Sequence, residues 1–185
     1  MKARVNKVTI EVRTTSLLSV EADGLVYVTD PNLTVGPELD ALAGPSVHDQ
    51  TRRIGWCDVG AAVMTDPGRM TNTQKIIHAV GPRWGEGIER AKLANTTWAC
   101  LNLAEENSLK SIAFPAISVG ALGYPVENCA KTMLGKIIDF TFEDLKRLRA
   151  VIIALPDDIT SEVFRKEFEL QLEQLRETGE GRVRA

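Results

Sequence analysis

Short apolar runs with strand character alternate along this chain with stretches long enough to be helices, and that alternation limits the folds open to it. Val8-Thr-Ile-Glu-Val-Arg13 switches between apolar and polar residues, as a strand with one wet face does. Gly24-Leu-Val-Tyr-Val-Thr29, Gly60-Ala-Ala-Val-Met64, Lys75-Ile-Ile-His-Ala-Val80, Ser111-Ile-Ala-Phe-Pro115 and Ala150-Val-Ile-Ile-Ala-Leu155 are continuous apolar runs, the pattern of strands covered on both faces. Helical spacing marks Ile88 to Glu106, Val126 to Ile138 and Ile159 to Arg176. Two shorter helices are expected at Pro37 to Ala43 and at Ser46 to Ile54, with Ser46 as cap and Gly44 and Gly55 as stops. Strands separated by helices imply βαβ crossovers. The chain is therefore expected to be one α/β domain over residues 1–178: three layers, α/β/α, with a mixed, mostly parallel sheet flanked by helices. Residues 179–185 read as a flexible tail.

Several function classes are disfavoured by composition. Lys and Arg number 22 against 25 Asp and Glu, giving a net charge of −3 with no basic cluster. Nucleic-acid binding, which displaces counterions with grouped cations, is not expected. Cys57, Cys100 and Cys129 are far apart and belong to no CxxC or Cys/His cluster, so neither a metal nor a cofactor is expected. No apolar run approaches the roughly 20 residues of a membrane helix, and Glu11 and Arg13 interrupt any leader-like segment. Reduced thiols and no signal segment predict a cytoplasmic protein with no membrane partner.

In a parallel sheet, ligands bind beyond the carboxyl ends of the strands. Two loops stand there. The segment Pro115-Ala-Ile-Ser-Val-Gly-Ala-Leu-Gly-Tyr-Pro125 follows a strand and leads into a helix. Gly120 and Gly123 allow sharp turns and close approach of the backbone to a ligand, while small neighbours leave N–H groups accessible. With the following helix N-terminus, this loop is a candidate pyrophosphate cradle. Glycine placed only for turn geometry is the plainer alternative.

Phe114-Pro-Ala-Ile-Ser-Val-Gly-Ala-Leu-Gly-Tyr-Pro125 resembles the second ligand loop of macro domains, the ADP-ribose-binding family. Ile77-His-Ala-Val-Gly-Pro82 and Leu109-Lys-Ser-Ile-Ala-Phe-Pro115 are similar to two further family segments. The similarity runs from about Ile10 to Asp23 and from Val35 to Phe168. It implies a macro-like fold and a ligand of the ADP-ribose class, free or carried on a modified protein. It also implies ligand contacts from Ile117, Ser118, Val119, Gly120, Ala121, Leu122, Gly123 and Tyr124. Ser16 stands where the family places the carboxylate that meets the adenine amino group. Tyr27, Asp30 and Val35 fall on the distal-ribose side.

The departures bear on catalysis. The family's Asn-Ala-Ala-Asn reads Tyr27-Val-Thr-Asp30, its glycine run is missing, and Gly36 occupies the place of the Asp found in hydrolytic members. The resemblance therefore implies a binding module without efficient catalysis. A hydrolase or deacetylase working through Asp30 is the first alternative, and an interaction scaffold with a decayed site the second. Ser118 and Gly120 do not complete a nucleophile elbow, because Ala116 replaces its first glycine. His78 reads as a core residue and His48 as a surface one. The last helix's stripe reads as core, with Leu172 and Leu175 as a possible contact between copies; the oligomeric state is left open.

Overall fold

Neighbouring residues of the central strands point into different cores, which is why those strands read as unbroken apolar runs. The computed structural model describes residues 1–185. Its strands are β1 (Lys2–Val5), β2 (Val8–Thr14), β3 (Gly24–Val28), β4 (Ala62–Thr65), β5 (Lys75–Ala79), β6 (Ser111–Phe114), β7 (Ala150–Leu155) and β8 (Val183–Arg184). The helices are α1 (Pro37–Ala43), α2 (Pro45–Ile54), α3 (Glu89–Glu106), α4 (Val126–Phe140) and α5 (Asp158–Thr178). One sheet contains every strand, in the order β4-β5-β3-β6-β7-β2-β1-β8. The five strands β5-β3-β6-β7-β2 run parallel. β4, β1 and β8 join antiparallel towards the edges.

Within β3, Leu25 faces the smaller core and Val26 the larger; in β7, Ile152 and Ala154 face the smaller, with Val151, Ile153 and Leu155 on the other side. The larger core packs Leu93, Leu101, Met133, Leu134, Phe164 and Phe168 of α3, α4 and α5 against the sheet. The smaller core is closed by Leu39, Ala43 and Val47 of α1 and α2. A fully buried aliphatic or aromatic side chain contributes roughly 1.5–3 kcal/mol, so the larger layer supplies most of the apolar stabilisation.

Two local expectations need correction, and one strand was not foreseen. Residues 179–185, expected as a tail, include β8, whose Val183 pairs with Val5. The adjoining Asn6 N–H donates to the Arg182 carbonyl at 2.7 Å. β1 itself was not anticipated, because Lys2-Ala-Arg-Val5 is a short, half-polar segment next to the sheet edge. Ser46 is not a cap: Gly44, at φ 75°, precedes Pro45 as the first helical residue, and no side chain caps α2.

Glu105 near the end of α3 ties that helix to the segment before β7. Its carboxylate accepts the backbone N–H groups of Lys146, Arg147 and Leu148. Burial pushes its pKa up, but those donors, together with Arg149, outweigh burial and hold it below the ordinary 4.5. A carboxyl with a lowered folded-state pKa contributes stability that is complete above its unfolded value and is lost as pH falls through the folded value. Glu105→Gln should therefore lower the melting temperature at pH 7. The difference between variant and parent should shrink below about pH 4.5, measured by calorimetry across pH.

Candidate functional site

At the carboxyl edge of the sheet, the loops after β2, β3, β5, β6 and β7 enclose a cavity of about 940 Å³. Because β6 lies between β3 and β7, the loop after β6 forms the middle of the cavity and the others form two wings. One wing, beyond β2 and β7, carries Ser16, Leu17, Ala154, Pro156, Asp157 and Thr160. The other, beyond β3 and β5, carries Tyr27, Asp30, Pro31, Glu38, Val59 and Val80.

The middle loop is built to present donors. Its turn is closed by the Gly123 N–H to the Gly120 carbonyl at 2.9 Å and the Tyr124 N–H to the Ser118 carbonyl at 2.9 Å. Gly120 sits at φ 89° with open space beyond its Cα. The N–H groups of Ser118, Gly120, Ala121 and Leu122 have no acceptor in the protein. Ser118 is 2% exposed, adopts φ 67°, and its hydroxyl has no partner either. Leaving such a group unpaired costs about 1–3 kcal/mol, and cost concentrated in one cavity wall points to a ligand that removes it. The strand β5 loop braces this wall. Trp84 N–H donates to the Leu122 carbonyl at 2.9 Å. Any side chain at Gly81 would come within 2.3 Å of Ser118 Oγ.

The loop after β3 is short and pinned. Leu33, 1% exposed, adopts φ 60° and plugs a cluster with Cys57 and Val80. Its N–H donates to the Asp30 carbonyl at 2.9 Å, and Thr29 Oγ1 donates to the Thr34 carbonyl at 2.6 Å. The Asp30 carboxylate accepts the Thr34 N–H at 3.3 Å. Tyr27 Oη accepts the Gly36 N–H at 2.8 Å, and a Cβ on Gly36 would lie 2.5 Å from that oxygen. The phenol thus fills the space that an aspartate at position 36 would need.

Of the residues expected at the site, Ser16, Tyr27, Asp30, Ser118, Val119, Gly120, Ala121 and Leu122 line the cavity. Val35 does not: it packs against the smaller core. Ile117 is fully buried, and its carbonyl accepts the Cys129 thiol at 3.2 Å. Tyr124 is buried behind the wall, where its ring meets Trp84 edge-on at 5.0 Å, and Gly123 is exposed outside the cavity lining. Leu17, Leu18, Glu38, Arg83, Glu86, Ala154, Asp157 and Thr160 also line the cavity. They come from the ends of separate strands and carry no shared motif, so only the strand order gathers them.

The cavity's charges are uneven. Asp30, Glu38, Glu86 and Asp157 face a single cation, Arg83, which pairs with Glu86 at 3.6 Å. A phosphate charge about 4 Å from a carboxylate costs roughly 4 kcal/mol at an effective dielectric of 20, so an anion is accommodated only at the N–H-lined middle. Asp157 caps α5, and the Thr160 N–H and hydroxyl hold its carboxyl below the usual range. No group of three or more His, Cys, Asp or Glu is placed to hold a metal ion, and no helix is long and apolar enough to cross a membrane.

The comparisons with known proteins bear on the family and the fold. The sequence model of the Macro domain matches residues 32–133. A macro domain-containing protein of Caldanaerobacter subterraneus subsp. tengcongensis is 33% identical over 165 residues, covering 83% of this chain and 92% of the relative. An O-acetyl-ADP-ribose deacetylase of Salmonella typhimurium is 36% identical over 134 residues, covering 67% of this chain and 74% of the relative. Among solved structures, the Oceanobacillus iheyensis macrodomain with ADP has a TM-score of 0.88 at 24% identity, covering 94% of this chain and 97% of that one.

Behind the β3 wing, His78 is fully buried, with Nε2 2.8 Å from Thr65 Oγ1. Burial lowers its pKa from 6.5 to about 4. An unfolded chain therefore takes up this proton before the folded one, and stability complete above pH 6.5 is lost as pH falls towards 4. His78→Gln should flatten the melting temperature across that interval, read by circular dichroism at stepped pH.

Proposed function

Because this chain belongs to the macro domain family, we propose that it binds ADP-ribose, or a closely related nucleoside diphosphate, in this cavity, without efficient catalysis. The observation that carries the reading is the set of unpaired N–H groups of Ser118, Gly120, Ala121 and Leu122 beside the unpartnered Ser118 hydroxyl. These donors suit a pyrophosphate at the middle of the cavity, with α4 beginning just beyond at Val126. The wing of Ser16, Leu17, Ala154 and Pro156 takes the base and its ribose, Ser16 supplying a neutral hydroxyl in place of a carboxylate. Such a hydrogen bond is roughly half as strong as a charge-assisted one. The opposite wing takes the distal ribose, whose hydroxyls can donate to Asp30 and Glu38. An ADP-ribosylated protein fits the same scheme, with its attached sugar in that wing. Buried Cys57, Cys100 and Cys129, all unpaired, suit a reducing compartment such as the cytoplasm.

Weak catalysis follows from the β3 wing. Hydrolysis needs a positioned water, and positioning can supply roughly 7–11 kcal/mol. Gly36 offers no carboxylate, Tyr27 occupies the space one would need, and Asp30 is engaged by Thr34. One observation favours the alternative, a hydrolase or deacetylase of ADP-ribose derivatives: Glu38 joins Asp30 on the cavity wall.

Isothermal titration should show ADP-ribose binding that survives EDTA. Gly120→Glu should abolish it by adding bulk and charge at the middle of the cavity. Gly120→Ala, which carries the same positive-φ strain of about 1–2 kcal/mol without the charge, should keep a measurable part. Equal affinity in Gly120→Glu and parent would remove this loop from the site. Release of free ADP-ribose from an aspartate- or glutamate-linked substrate should stay near the uncatalysed background. Rapid release that disappears in Asp30→Ala would replace the binding reading with the hydrolase one.

A further inference from the structure

The phenol of Tyr27 has a hydrogen that nothing in the protein accepts. Its oxygen receives the Gly36 N–H at 2.8 Å, and no other hydrogen bond involves it. A tyrosine hydroxyl both donates and accepts, so one function is left over, on a side chain that lines the cavity. The ring is held from behind. Strand pairing sets Tyr27 opposite His78, whose ring meets it edge-on with centroids 6.2 Å apart, and Thr65 fixes His78 in turn. From the front, Gly36 admits the phenol only because it lacks a Cβ. The hydroxyl is thus positioned from two sides.

Its neighbours in the same wing are acceptors when ionised. Asp30 and Glu38 offer carboxylate oxygens, and the one cation of the cavity, Arg83, stands on the separate loop that Trp84 bonds to Leu122. One positioned donor in the same wing as two carboxylates complements a neutral group bearing several hydroxyls, which can supply both the acceptor and the donors. The same arrangement repels a further phosphate.

Resting on the reading that the cavity takes a nucleoside diphosphate, we infer that Tyr27 is a specificity-determining residue for what the second phosphate carries. Its O–H donates to an oxygen of a neutral polyhydroxylated substituent, so that the site prefers a sugar-bearing nucleoside diphosphate to the bare diphosphate or the triphosphate. The Tyr27–Gly36 pair acts as a unit, because the glycine gives the phenol its place.

Titration calorimetry with ADP-ribose, ADP and ATP on the parent, Tyr27→Phe and Gly36→Ala tests this. The parent should bind ADP-ribose tighter than ADP, and ATP weakest. Tyr27→Phe should weaken ADP-ribose about fivefold and leave ADP within about twofold, as expected for loss of one neutral hydrogen bond. Gly36→Ala keeps the phenol but displaces it, and should narrow the ADP-ribose to ADP ratio in the same direction. That ratio is unmoved by a general loss of folded protein, so it separates selection from a structural role. An unchanged ratio in Tyr27→Phe, or equal loss of both ligands, would overturn the selection while leaving nucleotide binding standing. A parent that binds none of the three would overturn the proposed function, and this inference with it.

Discussion

The placing of β3 between β5 and β6 governs the cavity. Parallel pairing on both sides, Tyr27 opposite His78 and Gly24 opposite Ile112, aligns the carboxyl ends of three strands that are distant in sequence. Backbone hydrogen bonds set the register, and the register decides which side chains rise to the rim. A shift by one residue would send Tyr27 towards the opposite face and Val26 into the cavity. The alternation of buried residues between two cores makes such a slip costly, since every apolar side chain of the strand would change layers. The position of the phenol is thus secured by packing far from the phenol itself.

Electrostatics then divides a space that geometry leaves continuous. The middle of the cavity presents backbone N–H groups, whereas both wings present carboxylates. Backbone donors carry no formal charge and need no counterion. They can therefore face an empty cavity without drawing Asp30, Glu38 or Asp157 across it. A lysine in their place would have paired with one of those acids, as Arg83 does with Glu86. Polarity without charge keeps the centre open.

What could be read from residues alone followed a physical line. Central strands were legible because burial on two faces leaves a continuous apolar run, as in Ala150 to Leu155. β1 and β8 were not, since both are short, β1 is half polar and β8 lies at the sheet edge. The loop from Ser118 to Leu122 stands out in the sequence by its small residues and glycine in one contiguous stretch, and it lines the cavity. Contiguity does not decide which residues reach the cavity: Ile117 and Tyr124 belong to that stretch, yet they are buried behind the wall, and Gly123 is exposed outside the lining. Glu38, Arg83 and Thr160 share no spacing, so only the folded sheet brings them to one rim. Gly36 was recognised as a missing carboxylate, but the phenol that fills its place could be seen only in three dimensions.

The contact between Trp84 and the cradle has an optical consequence. The indole is 44% exposed, its ring lies edge-on against Tyr124, and its backbone N–H is fastened to the Leu122 carbonyl. Trp56 is also exposed, but its indole N–H is bonded to Asp58, outside the cavity wall, and Trp98 is packed against Phe140. Any rearrangement of the loop around Gly120 is therefore transmitted to one partly hydrated indole more directly than to the other two. Emission from that ring should report occupancy of the cavity without a label, because the chromophore is fastened to the loop that forms its middle wall.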